Sequence, residues 1–265
     1  MHGVRKKLVI GNWKSHMNVR ESSLLLKRLD DHIKVNRTVE IALAPTFLAL
    51  QPLSLQINRR KFRLCAQNGN DQDESALTGE VSFSMMRGLI HYSIIGHSSR
   101  RLYYDDNLDA VRKKMAAAVR NGIVPVLCVG ETKQERLGKE TRRVLHDQLT
   151  TALADLTAEE VADVVITYEP VWAISTFDGE IPKPAVVIRE IKYIRSQIAD
   201  LYGQNIAEQV HVLYGGSVDD HDAGFFMSLP GCDGALVGAA SLNYHKFTKI
   251  VEAAAESARK TGDIK

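Results

Sequence analysis

What the sequence lacks narrows the field first. No apolar run is long enough to span a bilayer, and the N-terminal MHGVRKKLVIGNWK has no apolar centre of the kind a secretory leader carries. Neither membrane insertion nor export is therefore expected. Cysteine is scarce: Cys65, Cys128 and Cys232 are odd in number, scattered, and form no C-x-x-C pair. They read as thiols of a reducing compartment, most of them buried in strands, which places the chain in the cytoplasm. An excess of charge is lacking too, since 34 Lys and Arg face 32 Asp and Glu for a formal net charge of +2. Short basic clusters at Asn58 to Arg63 and Val111 to Lys114 have acidic residues between them, so no nucleic-acid partner is expected. No G-x-G-x-x-G follows the first apolar run and no G-x-x-x-x-G-K-[ST] occurs, which removes the main signal of a nucleotide-binding sheet. The histidines are scattered without metal-ligand spacing, and no metal is expected.

What is present is repetition. Short β-rich runs recur as KLVIGNWK, VEIALAP, FRLCAQN, YSIIGH, IVPVLCVG, VVITYEP, VHVLYGG and GALVG. Most are continuously apolar rather than alternating, as strands covered on both faces read. Between them lie segments of helical spacing. ESSLLLKRLDDHI sets Leu24, Leu25, Leu29 and Ile33 on one side, and LDAVRKKMAAAVRNG sets Leu108, Val111, Met115 and Val119 on one face before Gly122 as a C-terminal cap. AVVIREIKYIRSQIADLYG and NYHKFTKIVEAAAESARK repeat the theme. About eight strands alternating with helices, with no composition break, predict one α/β domain over residues 1–265 with a parallel sheet. An open doubly wound sheet and a closed barrel both fit that alternation. The length, near the roughly 250 residues of an eight-fold unit, favours the (β/α)8 barrel.

In a parallel barrel, chemistry collects where the strands end. There this chain places Asn12 and Lys14 after the first run, His97 after the fourth and Glu169 after the sixth. Taken singly, each reads as an ordinary surface or loop residue. Together they put a base, an electrophile, a cation and an amide at one rim. The seventh run ends in YGGS, Tyr214 to Ser217, and the eighth in VGAAS, Val237 to Ser241. Gly215 and Gly216 allow backbone N–H groups to approach a ligand, and Ser217 adds a hydroxyl. An anion held there gains from helix N-termini that follow, and barrels often hold a phosphate after strands seven and eight. The plainer reading is two tight turns that need glycine for positive φ.

Eight segments carry a resemblance. They are GNWK (11–14), AQN (66–68), LTGEVS (77–82), IIGHS (94–98), CVGET (128–132), YEPVWAI (168–174), LYGGSV (213–218) and DGALVGAASL (233–242). In order and spacing they resemble the triosephosphate isomerase family from end to end. The resemblance implies interconversion of dihydroxyacetone phosphate and D-glyceraldehyde 3-phosphate, a step of glycolysis and gluconeogenesis, by a homodimer without cofactor. It implies Glu169 as the base, His97 as a neutral imidazole polarising the carbonyl, Lys14 as a fixed positive charge and Asn12 as an amide donor. Gly215, Gly216, Ser217, Gly238 and Ala239 fall in its phosphate cradle, joined by the Ser175 N–H. Pro170 to about Pro184 is the implied lid that keeps water from the intermediate.

Four departures stand out. Ser99 occupies the place of a family glutamate near the catalytic lysine. AISTFDGEIPKP (173–184) is about two residues longer than the usual lid, with Ser175 for a glycine. Ala239 replaces a second glycine, which requires negative φ there. The stretch Gln67 to Ser82, whose Thr78 tip normally reaches a neighbouring subunit, is slightly longer. These differences keep two alternatives open: an isomerase of a phosphorylated tetrulose, and a barrel that binds a phosphorylated ligand with weakened turnover.

Overall fold

The computed structural model describes residues 6–35, 37–174 and 180–260. Eight strands form the sheet: β1 (Lys7–Asn12), β2 (Val39–Ala44), β3 (Phe62–Ala66), β4 (Tyr92–Ile95), β5 (Val124–Val129), β6 (Val165–Tyr168), β7 (His211–Tyr214) and β8 (Gly234–Val237). Each pairs in parallel with the next, and β1 returns to β8 with Leu8 opposite Gly234, so the sheet closes. The closed (β/α)8 barrel is thus the architecture, not the open sheet.

The continuous apolar runs follow from two cores meeting at one sheet. Leu8, Ile10, Ala42, Ala44, Ile94, Val126, Cys128 and Leu236 pack inside the barrel. The alternate residues, Val9, Ile41, Leu43, Ile95, Leu127 and Val237, pack against the helices outside. Most strand residues therefore leave water, whichever way they point. The helix Val19–His32 starts at an Asn18 cap whose side chain and Glu21 satisfy each other's backbone N–H groups. Its buried stripe is Ser22, Leu25, Leu26 and Leu29, with Ile33 beyond. Leu24, expected on that side, is 50% exposed because it lies one residue off the 3–4 spacing. In Leu108–Arg120, Val111 and Met115 are buried, while Leu108, the first helical residue, stays exposed. Gly122 has φ of +69°, the left-handed geometry expected after the helix end. Among the described residues no helix is long and apolar enough to cross a membrane.

Candidate active site

The rim residues converge on one cavity of about 410 Å³ where the strands end; Asn12, Lys14, His97, Glu169 and Gly215 to Ser217 line it, with Gly238 and Ala239. Each is positioned by local backbone chemistry.

Glu169 follows β6. Its N–H donates to the Val129 carbonyl at 2.7 Å, which brings the chain so close to Gly130 that a Cβ there would lie 1.7 Å from the Glu169 oxygen. No residue but glycine fits at 130. The Glu169 side chain is buried, and both carboxylate oxygens are held. Oε2 accepts from the Ser98 N–H at 3.1 Å and Oε1 lies 3.2 Å from His97 Nε2.

His97 caps the short helix Ser98–Tyr103. The Ser99 N–H donates to His97 Nδ1 at 3.2 Å. A ring nitrogen that accepts from a backbone N–H carries no proton, so the ring proton sits on Nε2, facing Glu169. Ser99, the departure from the family glutamate, thus contributes its backbone to the site. The buried thiol of Cys128 hydrogen-bonds Glu169, and burial, then the carboxylate's charge, push that thiol well up.

Lys14 has φ of +51°, a left-handed conformation that costs a non-glycine residue about 1–3 kcal/mol. Two contacts hold it there. Its N–H donates to Asn12 Oδ1 at 3.0 Å, and its carbonyl accepts from Gln67 Nε2 at 2.7 Å, which also reaches the Ala44 carbonyl. With Oδ1 committed to the backbone, the Asn12 amide keeps its donor end for the cavity. Lys14 Nζ has no ion-pair partner among the described residues. Burial lowers its pKa from the ordinary value, and the nearby Glu169 charge opposes that shift.

At the far end, the need for glycine is not one of φ. Neither Gly215 nor Gly216 has positive φ; a Cβ on Gly216 would lie 2.1 Å from the Tyr214 hydroxyl. The close approach of backbone to a packed tyrosine excludes a side chain. The Gly215 and Ser217 N–H groups donate to the carbonyls of Tyr168 and Ala173 at 2.8 and 3.1 Å. The Ser217 hydroxyl is buried and has no partner among the described residues. Ala239 opens the turn Ala239–Leu242 without positive φ, so alanine is accommodated there.

Ser175, assigned to the cradle by sequence, lies outside the described residues with 176–179. The segment that follows Glu169 is moored. Trp172 Nε1 donates to Glu131 Oε1 at 2.9 Å, the Tyr168 hydroxyl lies 3.2 Å from both oxygens of that carboxylate, and the Val171 N–H reaches the Glu131 carbonyl at 3.0 Å. Glu131, Gln67, the Ser98 N–H and Cys128 were not singled out from sequence, because only the folded chain brings them beside the site. His16, Asp219 and Asp222 also line the cavity. Among the described residues, Asp219, Asp220 and His221 form a group spaced to ligate a metal, but Lys246 and Lys249 already pair with its carboxylates.

Comparison with known proteins identifies the family. The family model described as Triosephosphate isomerase matches residues 7–254. The triosephosphate isomerase of Chloroherpeton thalassium is 38% identical over 256 residues, covering 95% of this chain and all of that protein. That of Carboxydothermus hydrogenoformans is 38% identical over 250 residues, and that of Clostridium botulinum strain Langeland 36% over 249, each spanning 94% of this chain and 99% of the relative. A barrel closed as this one is, with the same segments at its rim and matches over almost its whole length, belongs to the triosephosphate isomerase family.

Proposed function

We propose that the chain interconverts dihydroxyacetone phosphate and D-glyceraldehyde 3-phosphate, the triose step shared by glycolysis and gluconeogenesis, acting over residues 1–265 as one barrel domain. The observation that carries this reading is the pairing of Glu169 with His97 at 3.2 Å in a cavity that also holds Lys14 and the glycine turns.

The chemistry follows from the residue types. Carbon beside a carbonyl gives up a proton reluctantly, so a base needs its developing oxyanion stabilised. Glu169 removes the proton from one carbon and returns it to the next. His97 Nε2–H donates to the carbonyl oxygens as the enediolate forms, and an uncharged ring is the better match to that weakly acidic intermediate; this division of labour is the one known for the family. Lys14 places its charge beside the oxyanion and phosphate, and Asn12 adds an N–H donor. Gly215, Gly216, Ser217, Gly238 and Ala239 hold the phosphate, and the Ser175 N–H completes the cradle. To act as base, Glu169 leaves the Ser98 N–H and turns toward substrate. Lid closure then excludes the water that favours loss of phosphate from the intermediate.

We infer a homodimer in a reducing cytoplasm. The exposed stretch from Glu74 to Glu80, with Leu77 and Thr78 at its tip, supports contact with a second copy, and the three free buried thiols support the compartment.

A coupled isomerase assay on glyceraldehyde 3-phosphate tests the reading, with a phosphoglycolate-type inhibitor as control. Inhibitor-sensitive turnover is expected. A large preference for a phosphorylated tetrulose would overturn the substrate assignment, and negligible turnover on either would leave a binding protein.

A further inference from the structure

Several cations of this chain are held by carboxylates. Arg112 holds Asp109 at 2.6 Å and Asp155 beside it, Arg120 holds Asp73 at 2.9 Å, and Arg143 holds Glu140 at 2.5 Å and Asp147 at 3.4 Å. A second cavity, of about 530 Å³, gathers cations that are mostly not held in this way among the described residues. Helices Lys133–Leu137 and Thr141–Leu153 form one side and the start of Pro184–Tyr202 the other. It shares no lining residue with the catalytic cavity.

Four cations line it: Arg136, Lys139, Arg142 and Arg189. Among the described residues only Arg189 is paired, its Nε lying 2.6 Å from Glu190 Oε1. Arg136, Lys139 and Arg142 have no ion-pair partner among the described residues, although Arg143, next in sequence to Arg142, has two. Two buried polar atoms at this place also have no partner among the described residues, Arg136 Nη1 and Glu190 Oε2. Glu190, with a side chain 1% exposed, is the one acidic residue in the lining. Both unpaired guanidinium groups rest on aromatic faces. Arg136 lies 3.5 Å from the Trp172 ring centre and Arg142 5.2 Å from that of Tyr193.

Four cations gathered around a single carboxylate repel one another, and a concave site between low-dielectric walls focuses their field. Guanidinium planes held flat lose little freedom on meeting a phosphate, which they bind through two parallel N–H groups. The volume lies in the small-molecule range of roughly 300–1,000 Å³, which suits a compact ligand better than a flat macromolecular surface. We propose that this cavity is a second anion site, which binds a small phosphate-bearing molecule beside the lid through Arg136, Lys139 and Arg142. The site is separate from turnover, and its link to the lid is the Arg136–Trp172 stack.

The test is calorimetric titration of the intact protein, its catalytic cavity first saturated with phosphoglycolate and ionic strength held constant with sodium chloride. Glucose 6-phosphate and inorganic phosphate are the two probes, and glucose is the neutral control. Saturable one-to-one binding of at least one phosphate probe is expected, and comparing the two tells an ester from the free ion. Lys139→Gln combined with Arg142→Gln, both exposed positions, is expected to weaken binding at least tenfold while leaving isomerase activity unchanged. Occupancy is also expected to shift tryptophan emission, through Trp172. Absence of saturable heat, equal binding by glucose, unchanged affinity in the double variant, or heat without an emission shift would each overturn the proposal.

Discussion

At the mouth where the strands begin, Lys7 Nζ donates to the Met227 and Cys232 carbonyls at 3.0 and 2.7 Å, and the Tyr92 hydroxyl donates to Glu40 at 2.7 Å. Asp233 there takes both the Arg195 guanidinium at 2.5 Å and the Val212 N–H at 2.8 Å. At the mouth where the strands end, Lys14 Nζ has no ion-pair partner and the Ser217 hydroxyl no hydrogen bond among the described residues. Lys14 also sits in a strained backbone conformation. Both mouths carry buried or half-buried polar groups. At the first, the protein itself satisfies them and they stabilise the fold; at the second they are held in place but left with capacity for something else. A barrel can tolerate the second arrangement because the strain and desolvation at one end are offset by packing along its whole length.

Substitutions at the two mouths should therefore separate activity from stability. The largest effect belongs to Glu169→Gln. Turnover is expected to fall by roughly 10²–10⁴-fold with inhibitor affinity largely kept, because the amide still accepts hydrogen bonds but cannot take the proton. A steady-state assay with inhibitor titration reads both.

Lys14→Met comes next, with kcat/KM down by about 10²-fold or more as a fixed charge leaves a water-poor site. In the unmodified protein the same residue gives a pH signature. Burial lowers its pKa below the ordinary 10.5, so the ammonium is lost earlier as pH rises. The alkaline limb of kcat/KM is expected to fall before pH 10.5 and to vanish from the pH profile of Lys14→Met.

At the other mouth, Tyr92→Phe removes the hydroxyl that donates to Glu40. Denaturant unfolding is expected to show a loss of about 1–2 kcal/mol with kcat and KM unchanged. A change in kcat there would break the contrast between the two ends.

The smallest effect is expected at Ser99→Ala. The contact with His97 is made by the Ser99 N–H, so activity should stay within about threefold of the parent protein, the span of ordinary surface substitutions. A loss of tenfold would show that the hydroxyl, too, belongs to the site.

Several of these features were legible in the sequence because they are local. Continuous apolar runs mark strands with two covered faces, and a lysine, histidine or glutamate directly after such a run lands at the strand-end rim. Asn12, Lys14, His97 and Glu169 were found in this way, and the cavity gathers all four. The glycines of YGGS were also found, but for a mixed reason. Positive φ was one reading, whereas the packed Tyr214 ring is what excludes a side chain at Gly216. Leu24 was misplaced because helical spacing fixes a stripe only to within about one residue.

By itself, then, the sequence determined the strand and helix alternation and which chemical groups end each strand, since both depend on neighbours a few positions apart. Only the tertiary structure decided that Gln67 and Asn12 hold Lys14 in its strained turn, and that Ser98 and His97 share the Glu169 carboxylate. It alone showed three cations without an ion-pair partner among the described residues around a second cavity. Most of those facts rest on hydrogen bonds and charges between residues as much as 72 positions apart, which no local pattern encodes.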